Sequence, residues 1–328
     1  LDFIYSNLNL KKLSQVTMYE KNFEYNLIQN LKGKDKFGSF VFDLCTNKFG
    51  MRTSCADRVN IKKYKLAIIG DSFVEGIGLD YSNTFTGILE KDLNYRIANL
   101  GVRSYSPANY KEKILYFVKQ GFSFDHIIIF IDISDVQDED LRNGKIRSNK
   151  KEIINAFKYN NFKELLKLNF QLSYYVFFEI KNFFRLKSDA KMIFNDHDAY
   201  DKNYSRGSWT YEKNNPHIKN GLFHSLNNMK ILVNFLKQNQ IQYSIAVYPW
   251  PQQLLFDKQN SNQVKIWKNF CKINSCKFFF DFFEIYHQMI EKTDLKDVIL
   301  NYYYYTDVHF NENGNRIIAN LLKKKIKN

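Results

Sequence analysis

In Ile68-Ile69-Gly70-Asp71-Ser72-Phe73-Val74-Glu75-Gly76 an apolar run ends in Gly-Asp-Ser, and the chain then turns toward a helix expected to begin near Ser82. This pattern puts a hydroxyl at the C-terminal end of a central strand. A serine there faces substrate, and its own N–H, released from the sheet ladder, points into the same volume and can stabilise an oxyanion. A plain turn after a strand also accounts for a lone Gly-Asp-Ser, so the tripeptide by itself leaves both readings open.

Outward from this block, short apolar runs alternate with helical patterns, the signature of a parallel sheet covered by helices. Five strands are expected, over residues 65–69, 95–99, 126–131, 242–248 and 277–280. Between them, Tyr110, Ile114, Phe117 and Val118 recur at helical spacing behind Pro107, which suits a first turn. Leu222, Leu226, Met229, Val233 and Leu236 repeat the pattern. A closing helix over residues 313–325 buries Ile317, Ile318, Leu321 and Leu322 and ends in solvated lysines. The fold class is therefore α/β with three α/β/α layers, a doubly wound parallel sheet of five strands.

Two regions depart from this rhythm. Residues 1–60 show no sustained periodicity and are expected to form an N-terminal arm packed on the main domain, which spans 61–328. Residues 140–215 form an insertion after the third strand, with a long aromatic helical stretch over 157–184 and then a segment rich in Asp, Asn and Tyr. Such additions commonly make lids or partner surfaces over the C-terminal edge of the sheet. The mixed aromatic and basic run from Tyr174 to Phe184 also suits a membrane surface, although ordinary packing explains it more simply.

The second informative stretch is Tyr305-Thr306-Asp307-Val308-His309-Phe310-Asn311-Glu312-Asn313-Gly314, just before the last helix. Side chains two apart in extended chain project to one side, so Asp307 and His309 can share a cleft. A carboxylate beside an imidazole orients its tautomer and stabilises the imidazolium formed when it takes a proton from a serine. A helix-capping Asp and a surface His form the competing account.

Taken together, the two stretches resemble the SGNH (GDSL-like) hydrolase family, whose nucleophile lies in a Gly-Asp-Ser block after the first strand and whose Asp and His lie near the C-terminus. The resemblance implies a flavodoxin-like SGNH fold with Ser72, His309 and Asp307 as catalytic triad. Asn99-Leu100-Gly101-Val102 resembles the second family block, which implies Gly101 as a backbone oxyanion donor beside Ser72; a glycine needed for a tight turn explains the same residue. Asp132-Ile133-Ser134-Asp135 aligns with the third block, where Ser134 stands in place of the family's donor Asn. The Asp-to-His spacing is two rather than the commoner three, and Asp281 and Asp135 are alternative acids. The stretch Asn47-Lys48-Phe49-Gly50-Met51-Arg52 also resembles the arm that precedes the catalytic block in envelope members.

The chain of 328 residues is 45% hydrophobic and 25% charged, an ordinary globular composition. It contains no apolar run near the roughly 20 residues that span a bilayer, and so reads as soluble. It begins at Leu1 rather than Met, which leaves room for a removed signal or anchor. The formal charge of +14 invites an anionic partner, but the lysines are scattered and no nucleic-acid motif is present. Cys45 with Cys55 and Cys271 with Cys276 form two close pairs, read as two disulfides in an oxidising compartment, with free thiols or a zinc site as alternatives.

His126 opens a strand and is read as structural. His197, His217, His224 and His287 lack metal-ligand spacing, so no metal and no cofactor is expected. Trp209, Tyr248 and Trp250 are expected to pack in the core, with a carbohydrate-binding wall as the alternative.

The resulting expectation is a periplasmic or extracellular serine esterase acting on an acylated carbohydrate or another ester. An O-acyltransferase using the same triad is the first alternative, and a noncatalytic glycan-binding or assembly module is the second. Membrane association, through an upstream anchor or a membrane acyl-donor protein, is left open.

Overall fold

The computed structural model describes residues 16–147 and 200–327, apart from 39, 205, 213, 214, 216, 217, 258–260 and 306. The expected helical stretch 157–184, its membrane-surface segment, His197 and His217 lie outside the described residues.

Among the described residues the strands are β1 (Thr17–Glu20), β2 (Glu24–Leu27), β3 (Lys32–Phe37), β4 (Phe40–Thr46), β5 (Arg52–Thr53), β6 (Lys63–Ile69), β7 (Ile97–Asn99), β8 (Ser123–Ile131), β9 (Gln242–Val247) and β10 (Phe279–Asp281). β1 and β2 form a separate hairpin, and the other eight make one sheet in the order β10-β9-β8-β6-β7-β5-β4-β3. The five strands expected from the sequence are the five parallel ones. In chain order they read 2-1-3-4-5, the flavodoxin-like doubly wound arrangement, which reverses direction between β6 and β8 and opens a crevice at their C-terminal ends.

Three antiparallel strands extend this sheet beyond β7, so the sheet is mixed rather than wholly parallel. They come from the stretch read as an arm. β3 has the sequence Lys-Gly-Lys-Asp-Lys-Phe, the charged composition of a sheet edge exposed to water, and therefore carries little apolar signal.

The helices are α1 (Ser72–Glu75), α2 (Phe85–Leu93), α3 (Pro107–Lys119), α4 (Asp135–Arg147), α5 (Ile218–Gln238), α6 (Pro251–Phe256), α7 (Asn262–Ile273), α8 (Phe283–Lys292), α9 (Leu295–Tyr302) and α10 (Glu312–Lys327). In place of one helix near Ser82, the chain makes the single turn α1, a 3-10 turn at Tyr81–Asn83, and then α2 capped by Thr84.

Strand alternation distributes the core to two faces. Ala67, Ile69, Ile127, Ile129, Ile245 and Val247 meet α3, α5 and α7. Leu66, Ile68, Ile128, Phe130 and Ala246 meet α2 and α8 to α10. Burial on both faces is why these strands read as continuous apolar runs.

Both expected disulfides are formed. Cys45–Cys55 ties β4 to the loop after β5, and Cys271–Cys276 closes the C-terminal end of α7. No described helix is long and apolar enough to cross a membrane.

Candidate active site

The end of β6 meets the helical layer at Gly70, where a Cβ would lie 2.5 Å from Val74 and 3.0 Å from Phe130. Asp71 then caps α1 by accepting the Phe73 N–H at 3.0 Å, and Ser72 becomes the first helical residue. α1 stops after one turn because Gly76 adopts a left-handed conformation, φ 79°. Among the described residues no acceptor is bonded to the Ser72 N–H, as expected of an N-terminal helical amide.

The second stretch folds back as a tight loop. Tyr303 bridges Phe310, Tyr304 N–H donates to the His309 carbonyl at 2.9 Å, and Asp307 N–H donates to the Tyr304 carbonyl at 3.1 Å. Asp307 Oδ1 accepts both the His309 backbone N–H, at 2.9 Å, and the ring Nδ1, at 2.5 Å. With Nδ1 carrying its proton toward the carboxylate, the Nε2 lone pair is left for Ser72, whose Oγ lies 2.7 Å away. Ser72, His309 and Asp307 are thus brought into one hydrogen-bonded relay at the crevice between β6 and β8.

The ring is flanked by Phe73, stacked with centroids 4.5 Å apart, and by Phe37, near-perpendicular to it with centroids 5.0 Å apart. Burial alone would push the His309 imidazole down. The hydrogen bond and charge of Asp307, backed by Asp71 and Asp132, outweigh it and hold the imidazole above its usual range.

Behind the serine lies a buried acidic layer. Burial, then the Asp132 carboxylate, pushes Asp71 up to about 7, while His309, the Phe73 N–H and the Tyr248 hydroxyl pull it down. Asp132 accepts from the Trp250 indole at 2.8 Å, and Trp209 donates to the Ile133 carbonyl at 2.7 Å. Tyr248, Trp250 and Trp209 are all buried, so they brace the acidic layer from inside and do not form a wall for carbohydrate.

The two alternative acids are engaged elsewhere. Asp135 accepts from the Tyr110 hydroxyl and the Asp132 N–H, and Asp281 accepts from the Phe283 N–H.

The expected oxyanion donors require a correction. The Gly101 N–H donates to Asn99 Oδ1 at 3.0 Å rather than into the crevice. The same Asn99 side chain donates to the Val74 carbonyl at 2.8 Å, stapling the turn after β7 to α1. Gly101 is a close-packing residue, since a Cβ there would lie 2.4 Å from the Glu75 nitrogen and 2.6 Å from the Val74 carbonyl carbon. Ser134 is buried, and its N–H is held by Asp132 Oδ1 at 2.7 Å. Of the two backbone donors expected, Ser72 and Gly101, the Ser72 N–H is the one with no acceptor among the described residues.

Several supporting residues were not singled out by sequence. Asn47 Oδ1 accepts the N–H groups of Phe49 and Met51, and Gly50 completes the turn at φ 72°. The turn delivers Arg52 into the interior, where its guanidinium donates to the carbonyls of Glu75, Gly76 and Leu79. Glu75, fully buried, accepts the Arg103 N–H at 2.7 Å, and Arg103 reaches Asp35 on β3 at 2.8 Å. Lys113 donates to Asn26 Oδ1 at 2.9 Å and to the Leu100 carbonyl at 3.0 Å. The only sequence signal for Arg52 was its place in the Asn47–Arg52 stretch. His126 donates to or accepts from Ser244 at 2.8 Å at the opposite end of the sheet, a structural pair. Among the described residues no group of three or more His, Cys, Asp or Glu side chains is arranged to hold a metal.

No family model matches this sequence, and no curated protein matches it. Among solved structures, the chain is similar to a member of the lipolytic protein G-D-S-L family from Veillonella parvula, with a TM-score of 0.43, 12% identity, and coverage of 81% of this chain and 98% of that one. A GDSL-like lipase from Bacteroides thetaiotaomicron gives 0.40, 13% identity, and coverage of 83% and 92%. A catalytic mutant of an acetylxylan esterase from Geobacillus stearothermophilus gives 0.37, 12% identity, and coverage of 81% and 94%. At such identities and scores these are likenesses of general architecture, and the functional argument rests on the relay at Ser72.

Proposed function

We propose that this protein is a serine-dependent ester hydrolase of the SGNH type whose substrate is an O-acyl group, foremost an O-acetyl group, on a carbohydrate. The observation that carries the reading is the relay Ser72 Oγ to His309 Nε2 at 2.7 Å and His309 Nδ1 to Asp307 Oδ1 at 2.5 Å. In the reaction His309 Nε2 takes the Ser72 proton as Oγ attacks the ester carbonyl carbon. Negative charge gathers on the carbonyl oxygen, and in this reading the Ser72 N–H donates to it. As the tetrahedral intermediate collapses, the C–O bond to the alcohol breaks and His309 returns the proton to the leaving oxygen. Water, activated by the same imidazole, then cleaves the acyl-enzyme.

Transfer of the acyl group to a sugar hydroxyl uses the same first half-reaction. Incubation with an activated acetyl ester and candidate glycans separates the two outcomes: free acetate is expected, and faster appearance of acyl-glycan overturns hydrolysis. The two disulfides support residence in an oxidising compartment, the periplasm or the exterior.

One observation favours the noncatalytic alternative: the Gly101 N–H is occupied by Asn99, and losing an oxyanion donor costs on the order of 100-fold to 1000-fold in rate. Mass spectrometry after treatment with a serine-directed organophosphorus probe tests both readings. Labelling confined to the peptide containing Ser72 is expected, and an unlabelled Ser72 in folded protein overturns the covalent mechanism.

A further inference from the structure

We infer that the edge of the sheet opposite Ser72, where the five parallel strands begin, is a docking face for an anionic lipid bilayer. Lysines that lie scattered along the chain are gathered there by topology. The helices that cross from one parallel strand to the next run antiparallel to them, so α2, α3, α5 and α7 all end at the strand-start edge. Their last turns carry Lys91, Lys119, Lys237 and Lys272, each exposed. α10 descends to the same edge. Lys325 Nζ donates to the carbonyl of Phe279, the first residue of β10, at 3.1 Å, and Lys323 pairs with Asp92 of α2 at 2.8 Å.

The strand starts add to this charge. Lys62 and Lys63 open β6, and Lys62 Nζ donates to the Gln120 carbonyl just beyond α3 at 2.7 Å. Lys277 stands ahead of β10 and reaches Gln242, the first residue of β9, at 2.7 Å. Of the carboxylates beside them, Asp92 is paired with Lys323, and Glu90 and Asp57 with Arg96, while Asp125 is exposed. At the crevice end the sign is reversed, since Asp71, Asp132, Asp135 and Asp138 crowd one another there. An anionic surface therefore draws the strand-start edge toward itself and leaves the crevice pointing away.

Two isoleucines decide the kind of surface. Helix dipoles favour a lysine in any last turn, which accounts for Lys119 and Lys237. They do not account for lysines at strand starts or for apolar side chains left among them. Ile273, the last residue of α7, is 70% exposed next to Lys272, and Ile61, 37% exposed, precedes Lys62. Both belong to this edge: the Lys62 carbonyl accepts the Ser123 N–H at 2.9 Å, and the Lys277 N–H donates to the Tyr243 carbonyl at 2.8 Å. A polyanion dissolved in water pairs with the lysines and gains nothing from an isoleucine. A bilayer surface takes both, phosphates against the ammonium groups and the acyl boundary against the isoleucines.

The test sediments the whole chain with phosphatidylcholine vesicles, with and without an equal part of phosphatidylglycerol. Binding is expected with the anionic vesicles alone and is expected to fall as salt is raised. Absence of binding to them overturns the inference. Replacing Lys62, Lys63 and Lys277 together by Gln is expected to weaken partitioning on the order of 100-fold, about fivefold per lysine. The same change of charge at the crevice end, with Lys202, Lys219 and Lys265 replaced by Gln, is expected to cost less than about fivefold. Equal losses in the two triple variants overturn the docking face, because net charge then explains the attraction.

A further substitution separates lipid from a soluble polyanion. Ile273→Ser is expected to weaken binding to the anionic vesicles roughly tenfold while leaving heparin binding unchanged. Unaltered vesicle binding in Ile273→Ser overturns the lipid assignment. A thermal melt verifies that each variant is folded, and labelling of Ser72 in the absence of vesicles reads the proposed reaction separately.

Discussion

Ser72 and His309 are hydrogen-bonded at 2.7 Å although 237 residues separate them in the chain. The bond forms because the first turn of α1, directly after β6, meets the loop between α9 and α10. Three of the loops around this pair are also held by the N-terminal strands: α1 by Arg52, the turn after β7 by Asp35 through Arg103, and the histidine loop by Phe37.

Replacing His309, the proposed general base, isolates its contribution. His309→Gln keeps a polar group of similar reach but cannot take the proton at neutral pH, so kcat on an activated acetyl ester is expected to fall about 100-fold to 10,000-fold. Steady-state kinetics with a thermal melt to verify folding checks this. A loss smaller than about tenfold removes His309 from the base role.

The acid limb of the activity profile follows from the carboxylates around the imidazole. His309 must be neutral to act, and Asp307 holds its pKa above the 6.5 usual for an imidazole. kcat/KM is therefore expected to rise with pH through a midpoint above 6.5. In Asp307→Asn the midpoint moves to lower pH as the rate drops, because the group favouring imidazolium is gone. A midpoint unmoved by this substitution contradicts the pairing.

Two substitutions away from the reacting atoms test how α1 is held. Gly101→Ala drives a methyl group against the backbone of Val74 and Glu75, and is expected to cost about 1–3 kcal/mol and to slow organophosphorus labelling of Ser72. Arg52→Ala strips the donor from three carbonyls and is expected to cost at least about 2 kcal/mol in urea unfolding. Arg52→Lys recovers little, since a single ammonium cannot reproduce the planar fork. Wild-type stability in either alanine variant is inconsistent with the described contacts.

Lys113 gives a stability signature in pH. Burial holds its ammonium down to about 7, with Glu75 acting in the opposite direction, against the 10.5 usual for a lysine. Between these two values the unfolded chain binds the proton that the folded chain has released, so this group makes stability rise with pH across that window. Below it the cost of the buried charge is present in full. Lys113→Met is expected to flatten the rise in urea midpoint between pH 7 and pH 9.5. A wild-type slope that persists in the variant assigns the effect elsewhere.

The sequence alone was enough to locate the five parallel strands, the Gly70-Asp71-Ser72 turn and the Asp307–His309 pair. Their signals are local: buried strands are apolar throughout, Gly-Asp-Ser follows directly on one of them, and residues two apart in an extended loop share a side. Both disulfide pairs were legible for the same reason, each being close in the chain. What required the tertiary structure were partners set by contacts between distant segments. The composition of β3, alternating Lys with Gly and Asp, hides an edge strand. Arg52 is a charged residue whose carbonyl acceptors lie 23 to 27 residues away. Gly101 matched a donor position in sequence, yet its N–H is claimed by Asn99, whose side chain is turned there by its bond to Val74. A hydrogen bond is decided by which atoms packing brings within about 3 Å, and residue order specifies that separation only where the chain between the partners is short.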